Sequence, residues 1–225
     1  MLFHDTKFLF IFLPIVFFAY FFLFKKKEYK IIFLILAGYI FYASWNIKFS
    51  PLILGSIIIN YFLSKQIILE INQINKKKIL ICTIIFNIFY LGFFKYFDFC
   101  VSNINMLFDS DLEMLNLPFP LALSFVTFQT IAFLCDCYEG NIKKLDIKKY
   151  AIFIIFFPQL IAGPIVKYNS MINQFESKKN SAINFKNICI GLVILSIGII
   201  KKVFIADNLS VISDQIFIFQ NNLSM

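Results

Sequence analysis

FFPQLIAGPIVKY occupies residues 156–168 and is the stretch on which the fold depends. Its apolar residues suit a lipid environment, but four residues interrupt them: Pro158, Gln159, Gly163 and Pro164. A proline lacks a backbone N–H and clashes with the preceding helical turn, so an uninterrupted spanning helix is not expected here. Broken backbone at membrane depth is tolerated where protein or a water-filled cavity covers its polar groups. The stretch therefore predicts either the wall of an internal site or a kinked structural helix.

The composition predicts an integral membrane protein. Of the 225 residues, 60% are hydrophobic, 32 are phenylalanine and only 15% are charged, and the mean hydropathy is +0.81. Residues 8–24 carry no charge and form a helix of about 26 Å, close to the hydrocarbon thickness of about 30 Å. The basic run Lys25–Lys27 follows this segment instead of preceding it, which disfavours a cleavable signal peptide. We interpret the segment as a retained first helix.

Apolar runs along the chain predict an all-α fold, a polytopic transmembrane helical bundle with one proline-broken segment. The predicted spans lie near residues 8–24, 31–44, 50–69, 79–97, 118–137, 150–166 and 187–205, and a further apolar run starts at Ile216. Trp45 places the end of the second span at the membrane interface. No internal repeat is visible, and every connecting segment is too short to fold alone. Residues 1–225 are therefore predicted to form a single membrane domain.

The charge distribution predicts an orientation in the membrane. The formal net charge of +8 comes from lysine, because the sequence has no arginine. Basic clusters at Lys25–Lys27, Lys76–Lys78 and Lys143–Lys149 alternate with an acidic segment at residues 98–117. By the positive-inside rule, the basic clusters lie in the cytoplasm, and the N-terminus and the 98–117 loop lie outside. Nucleic-acid binding is not expected, because these lysines flank apolar spans instead of forming a folded basic face.

Cysteine and histidine usage indicates no metal site. The five cysteines form no CxxC pair, and the single histidine, His4, stands far from them, so the ligands for zinc are missing. Cys135 and Cys137 are two residues apart and point away from each other on a helix, which favours apolar packing over a redox pair. His4 precedes the first span and is interpreted as an interfacial residue instead of a catalytic base.

The span at residues 118–137 combines a proline-rich start with a polar face. Two prolines are predicted to open the helix, and hydroxyl side chains follow at every third position: Pro118 and Pro120, then Ser124, Thr127 and Thr130. The three hydroxyls fall within one face about 120° wide, and Gln129 lies off that face and needs a partner of its own. In lipid such hydroxyls bond to their own helix, to another helix or to a cavity. Interhelical packing and substrate contact both remain open.

Three stretches resemble the membrane-bound O-acyltransferase (MBOAT) family, and within it the branch of alginate and peptidoglycan O-acetylation proteins. They are LSFVTFQT at residues 123–130, DCYEG at residues 136–140 and FFPQLIAGPIVKY at residues 156–168. Shorter matches run through most of the chain: FYASWN at 41–46, NY at 60–61, FKYF at 94–97, KK at 201–202 and ADN at 206–208. Lys167 stands where that branch often has arginine.

The resemblance implies an O-acyltransferase of the bacterial inner membrane, built as a ring of tilted multi-pass helices around a tunnel. An acyl group from a cytoplasmic thioester donor, such as acetyl-CoA, would reach a hydroxyl of an extracytoplasmic polysaccharide, such as alginate or peptidoglycan, or a partner acetyltransferase. The candidate tunnel residues are Ser124, Thr127, Gln129, Thr130, Pro158, Gln159, Gly163, Pro164 and Lys167. Lys167 would either bind donor phosphates or snorkel to the interface, and we favour snorkelling.

One departure from the family pattern concerns catalysis. The family's catalytic histidine lies further downstream, and this sequence has no histidine after His4. No catalytic residue is therefore assigned, and the chain is expected to be the N-terminal part of a longer MBOAT domain and to be inactive alone. The alternative is a noncatalytic membrane scaffold or transporter component, in which the broken segment serves packing or substrate passage.

Overall fold

The computed structural model describes residues 3–161, 163–177, 180 and 182–223, with side-chain burial as far as residue 216. Within these residues the regular structure is helical and contains no strand, which confirms the all-α prediction. The helices are α1 Phe8–Leu23, α2 Lys27–Ala43, α3 Ser50–Leu69, α4 Gln73–Phe108, α5 Leu123–Tyr138, α6 Ile147–Ile155, α7 Phe157–Leu160, α8 Tyr168–Glu176, α9 Phe185–Ile200 and α10 Asp207–Leu223. A π-helical turn at Lys201–Ala206 joins α9 to α10.

Three helical stretches of the described chain are long and apolar enough to cross a membrane: Ile47–Leu69, Gln73–Phe108 and Phe185–Ile216. Two shorter apolar helices, α1 and α5, accompany them. The predicted span at residues 50–69 has the same bounds as α3. The composition and these helices together identify a membrane protein.

Helix α4 is much longer than the predicted span at residues 79–97. Its 36 residues extend about 54 Å, against a hydrocarbon core of about 30 Å. Asn72 caps its start by accepting hydrogen bonds from the backbone N–H groups of Ile74 and Asn75. The predicted loop at residues 98–117 was wrong in its first half: Asp98 lies inside α4, and the connection begins at Asp109, whose φ is +46°.

The predicted helix start at Pro118 and Pro120 was also wrong. Both prolines lie in the connection, and α5 begins at Leu123 after Ala122, which has φ +58°. A residue that precedes a proline is restricted to extended conformations, and here both Leu117 and Phe119 precede one. The alternating prolines therefore keep the chain out of helix until residue 123.

The chain divides into two compact units, one of residues 22–181 and the other of residues 1–21 with 182–225. In the first unit, α6 is the most enclosed helix, because every side chain from Tyr150 to Ile155 is buried. A close approach to α2 contributes to this enclosure: a Cβ added at Gly38 would lie 2.1 Å from the carbonyl oxygen of Ile155. A small residue at such a crossing lets two membrane helices pack backbone to backbone.

Helices α3 and α4 are joined by a reciprocal amide pair. Asn60 Nδ2 donates to Asn87 Oδ1 at 3.2 Å, and Asn87 Nδ2 donates to Asn60 Oδ1 at 2.7 Å. Both side chains are buried. In a lipid environment such a pair satisfies two polar groups that have no water to bond.

In the second unit, α9 and α10 form a nearly continuous helix whose side chains from Phe185 to Ile216 are exposed or half-buried. An ion pair between Lys202 and Asp207 lies beside the π-helical turn.

Candidate functional site

Within the unit of residues 22–181, the chain runs through α6 and the proline break and then turns back. Both ends of α8 lie near the start of α6. Asn169 Nδ2, at the start of α8, donates to the backbone carbonyl of Asn141 at 3.0 Å, and Asn141 precedes α6. Lys149, in the first turn of α6, forms an ion pair with Glu176 at the end of α8. Helix α6 has nine residues and extends only about 13 Å. Residues 150–166, predicted as one span, do not form one continuous helix: α6 ends at Ile155, and the chain turns back so that α8 lies near the start of α6. The chain from α6 to α8 is called the re-entrant segment below.

The end to which this segment returns is rich in lysine. Lys148 Nζ lies 3.8 Å from Glu28 Oε2 at the start of α2. Lys76 Nζ, at the start of α4, lies 5.5 Å from the ring centroid of Tyr138 at the end of α5. The basic clusters that the charge pattern assigned to one side thus gather at one end of this unit, called the lysine end below.

The ion pair with Lys149 also has an electrostatic effect. The hydrogen bond from Lys149 holds the pKa of the Glu176 carboxyl below its ordinary value, and the positive charges of Lys149 and Lys27 act in the same direction. This carboxylate is therefore charged at neutral pH, and it tethers the end of α8 to the start of α6.

The break itself consists of one extended residue followed by a tight turn. Phe156 has ψ 105°, which ends α6, and Pro158 supplies no N–H to continue it. The Gly163 N–H then donates to the carbonyl of Gln159 at 3.0 Å. A Cβ at Gly163 would lie 2.5 Å from the Cβ of Gln159, so this turn needs glycine. Ala162, which belongs to the same motif, lies outside the described residues.

Gln129 connects α5 to the end of α6. Its Nε2 donates to the backbone carbonyl of Phe153 at 2.8 Å, and the side chain is fully buried. The last carbonyls of any helix lack intrahelical donors, so this bond satisfies one of them at membrane depth. The predicted need of Gln129 for a partner is explained by this contact.

The remaining candidates differ in their exposure. Thr127 and Thr130 are buried and Ser124 is half-buried, so the hydroxyl face of α5 points largely into the protein. Gln159 and Gly163 are half-buried at the break. Three candidates are exposed: Pro158, Pro164 and Lys167. Exposure of Lys167 immediately before α8 is consistent with snorkelling, and its role stays a prediction.

Four buried side-chain atoms in the described residues have no hydrogen-bond partner: Gln129 Oε1, Thr130 Oγ1, Tyr150 OH and Gln159 Nε2. All four belong to α5, α6 or the break. The hydroxyls of Thr130 and Tyr150 are near each other without reaching hydrogen-bonding geometry. An unpaired buried polar atom costs about 1–3 kcal/mol, and a role in catalysis is one of the explanations for such an atom in a native protein.

Tyr150 is a residue that sequence reasoning missed. The signal was present, since a tyrosine at the start of an apolar run brings a hydroxyl that needs a partner when it is buried. Asn87 was missed for a similar reason, because a single amide in the apolar run 79–94 points to a partner on another helix.

Aromatic rings enclose these polar groups. Phe133 of α5 contacts Tyr150, Phe153 and Tyr168, with ring centroids 4.6, 5.8 and 5.0 Å away. Phe156 packs edge-on against Phe175 of α8 at 5.2 Å. The rings keep water away from the polar atoms of α5 and α6, and electrostatic interactions are stronger in such surroundings.

The described residues contain no group of three or more His, Cys, Asp or Glu side chains able to hold a metal ion. His4 Nε2 lies 3.9 Å from the carboxylate of Asp5, its neighbour in sequence.

Comparison with known proteins shows which family the chain resembles. Residues 136–225, which include the re-entrant segment, match the model of MBOAT, the membrane-bound O-acyltransferase family. The resemblance to the MBOAT family is confirmed. A peptidoglycan O-acetyltransferase of Helicobacter pylori is 41% identical over 242 aligned residues, which cover 95% of this chain and 46% of that protein.

Probable alginate O-acetylases form a second group of relatives. A probable alginate O-acetylase AlgI of Pseudomonas aeruginosa is 31% identical over 227 residues, covering 98% of this chain and 43% of the relative. The corresponding protein of Pseudomonas syringae pv. tomato is 32% identical over 227 residues, with 98% and 43% covered. The chain thus spans less than half the length of these relatives. No solved structure matches it.

Proposed function

We propose that this chain forms part of an O-acyltransferase that moves an acetyl group from a thioester donor to a hydroxyl of an extracytoplasmic polysaccharide. The names of the relatives support this reaction class, since they are O-acetyltransferases of peptidoglycan and alginate. The structural observation that supports it is the re-entrant segment, which contains a break between helices and two buried side-chain atoms without partners, Tyr150 OH and Gln159 Nε2. Non-helical backbone at membrane depth is characteristic of internal sites.

Acyl transfer requires a hydrogen-bond donor in surroundings that exclude water, and this region contains such a donor. The acceptor oxygen attacks the thioester carbonyl, its proton passes to a base, and the thiol leaves with a proton. Negative charge develops on the carbonyl oxygen, and a donor in surroundings that exclude water stabilises it. Gln159 Nε2 is a buried donor without a partner in the structure. We assign Gln159 and the buried α5 residues Thr127 and Thr130 to the wall of the acyl path.

The lysine end indicates from which side the acyl donor enters the acyl path. In our proposal it faces the cytoplasm, by the positive-inside rule, in a multi-pass protein of the bacterial inner membrane. Donors such as acetyl-CoA carry phosphates and would be attracted to that end. Acceptors would approach from the opposite side, either as polysaccharide or as a partner acetyltransferase that receives the acyl group.

We also propose that the two compact units belong to one MBOAT domain. The relatives align with 95–98% of the chain, which includes residues of both units.

The test is a Gln159→Leu substitution in a full-length relative that carries the matching residues, expressed in a strain without its own O-acetyltransferases. Acetyl ester on the purified polymer should fall at least tenfold per folded molecule, because removal of one oxyanion donor typically costs about 10²–10³-fold in rate. A matched control is Gln174→Leu, which changes an exposed residue of α8. Wild-type activity per folded molecule in Gln159→Leu would show that the break serves packing alone.

A further inference from the structure

A cleft lies at the end of α4 opposite the lysine end, beneath the connection of residues 109–122. Its volume is about 290 Å³, close to the lower limit of small-ligand sites at roughly 300 Å³. Most of the lining is apolar, with Phe93, Phe97 and Phe119 among its members, and it includes two charged side chains, Lys95 and Asp98. No step of the proposed acyl transfer uses these residues.

The position of the cleft along α4 indicates its depth in the membrane. Residues 79–94 carry no charge, and they lie between Lys78 and Lys95. Seventeen helical steps separate these two lysines, a distance of about 26 Å, close to the hydrocarbon thickness of about 30 Å. When Lys78 lies at one interface, Lys95 lies at the level of the lipid headgroups on the other side.

The two charged residues are held in place beside each other. Asp98 Oδ1 accepts the backbone N–H of Leu115 at 2.8 Å, and this bond fixes the connection over α4. Lys95 Nζ lies 5.2 Å from the ring centroid of Tyr96, and no carboxylate of the described chain is within ion-pair distance of it. Residues three apart on a helix share a face, so a cation and an anion stand side by side at the cleft.

We propose that this cleft binds a phospholipid whose headgroup carries both a phosphate and a primary ammonium group. Lys95 pairs with the phosphate, Asp98 accepts hydrogen bonds from the ammonium, and Phe97 and Phe119 border the headgroup. An acyl chain packs against Phe93, which lies on the hydrocarbon side of Lys95. A headgroup with phosphate alone would satisfy Lys95 but would be repelled by Asp98. A polysaccharide fits less well, because it needs many hydrogen-bond partners and this cleft is mainly apolar.

The experiment measures lipid retention on the purified 225-residue chain by native mass spectrometry. The protein is equilibrated with an equimolar mixture of phosphatidylethanolamine, phosphatidylglycerol and phosphatidylcholine of identical acyl chains. Wild-type protein should retain about ten times more phosphatidylethanolamine than either of the other two lipids. The reason is that one hydrogen bond to a charged group changes affinity by about tenfold. The readout does not involve acetyl transfer, so its failure and that of the proposed function are distinguishable.

Two substitutions separate the roles of the charges. Asp98→Asn keeps an oxygen for the Leu115 N–H, so the cleft persists, and it should abolish the preference for phosphatidylethanolamine over phosphatidylcholine. Lys95→Gln should reduce retention of all three lipids. The matched controls are Lys78→Gln, at the other end of the apolar run, and Asp111→Asn in the connection, and both should retain lipid as wild type does.

Three outcomes would overturn the proposal. The first is equal retention of the three lipids by the wild-type chain, and the second is a lipid preference that survives in both Lys95→Gln and Asp98→Asn. The third is binding of an acidic oligosaccharide, measured by titration, that Lys95→Gln abolishes while no lipid preference is seen. That result would identify the cleft as a carbohydrate site.

Discussion

Gln129 Nε2 donates to the carbonyl of Phe153 across 2.8 Å and thereby ties α5 to the last turn of α6. The bond lies three residues before Phe156, where the backbone of α6 breaks. A carbonyl at the end of a buried helix has no water to bond, so a side chain from another helix must satisfy it. The break is thus supported from α5, which carries the hydroxyl residues assigned to the acyl path.

Replacing Gln129 with leucine should lower the free energy of unfolding by about 1–3 kcal/mol. The change keeps the approximate volume and leaves the Phe153 carbonyl buried without a donor. Detergent-induced unfolding, followed by circular dichroism, would measure the difference. Gln66→Leu is the control, because Gln66 is an exposed residue of α3, and it should change stability by less than about 0.5 kcal/mol. Equal effects of the two substitutions on stability would show that the Gln129 side chain does not support the break.

The crossing of α2 and α6 should tolerate no side chain at Gly38. An alanine Cβ would lie 2.1 Å from the Ile155 carbonyl oxygen, so the helices must separate, at a cost of about 1–3 kcal/mol. Gly55→Ala is a matched control in α3, where a Cβ meets nothing within 4 Å, and alanine there should be neutral or stabilising. Thermal unfolding in detergent would compare the two. A stable Gly38→Ala protein would mean that the helices do not approach as closely as described.

The re-entrant segment makes a prediction about sidedness. In a chain whose five cysteines have been replaced, Lys144→Cys and Asn173→Cys should react with a membrane-impermeant thiol reagent from the same side, because both lie near the lysine end. Asp111→Cys should react from the other side. In intact cells the positive-inside rule predicts labelling at 111 alone. Labelling of 144 and 173 from opposite sides would show that residues 150–166 cross the membrane.

Sequence reasoning succeeded where apolar length alone decides the structure. The bounds of α3 were predicted because a mainly apolar run, with Lys65 as its one charged residue, begins at Ser50-Pro51 and ends before Glu70. Sequence reasoning underestimated the length of α4. Lys78 and Lys95 bound the apolar run, whereas the helix extends past both of them, from the Asn72 cap to a more polar end.

The sequence pattern could not predict that the re-entrant segment turns back. Residues 150–166 are as long and apolar as a short span, so hydropathy does not distinguish a crossing from a return. The contacts that decide it, between Lys149 and Glu176 and between Asn141 and Asn169, join residues 27 and 28 positions apart. Likewise, Gln129 was recognised as needing a partner, but only packing determines that the partner is Phe153.

The tether between Lys149 and Glu176 should make stability depend on pH. Because Lys149 lowers the pKa of Glu176 below the ordinary 4.5, the ion pair stabilises the fold above pH 4.5 and is lost as pH falls through the lowered value. The effect should be below about 1 kcal/mol, since the pair is exposed. Thermal unfolding between pH 3 and pH 7 should show a smaller change in Glu176→Gln than in wild type. Glu113→Gln, in the exposed connection, should keep the wild-type dependence, and an unchanged profile in Glu176→Gln would exclude the tether.

The amide pair between α3 and α4 should show energetic coupling. Asn87→Leu removes both bonds to Asn60, which is left with its bond to the Ser56 carbonyl and an unpaired Oδ1. Each single leucine substitution should therefore cost about 1–3 kcal/mol. The double substitution removes both polar groups, so its cost should be smaller than the sum of the two. A double-mutant cycle by detergent unfolding should give a coupling of about 0.6 kcal/mol, the average for such bonds in membrane helices, and at most about 1.7 kcal/mol. Strict additivity would mean that the two amides act independently and that packing alone joins α3 to α4.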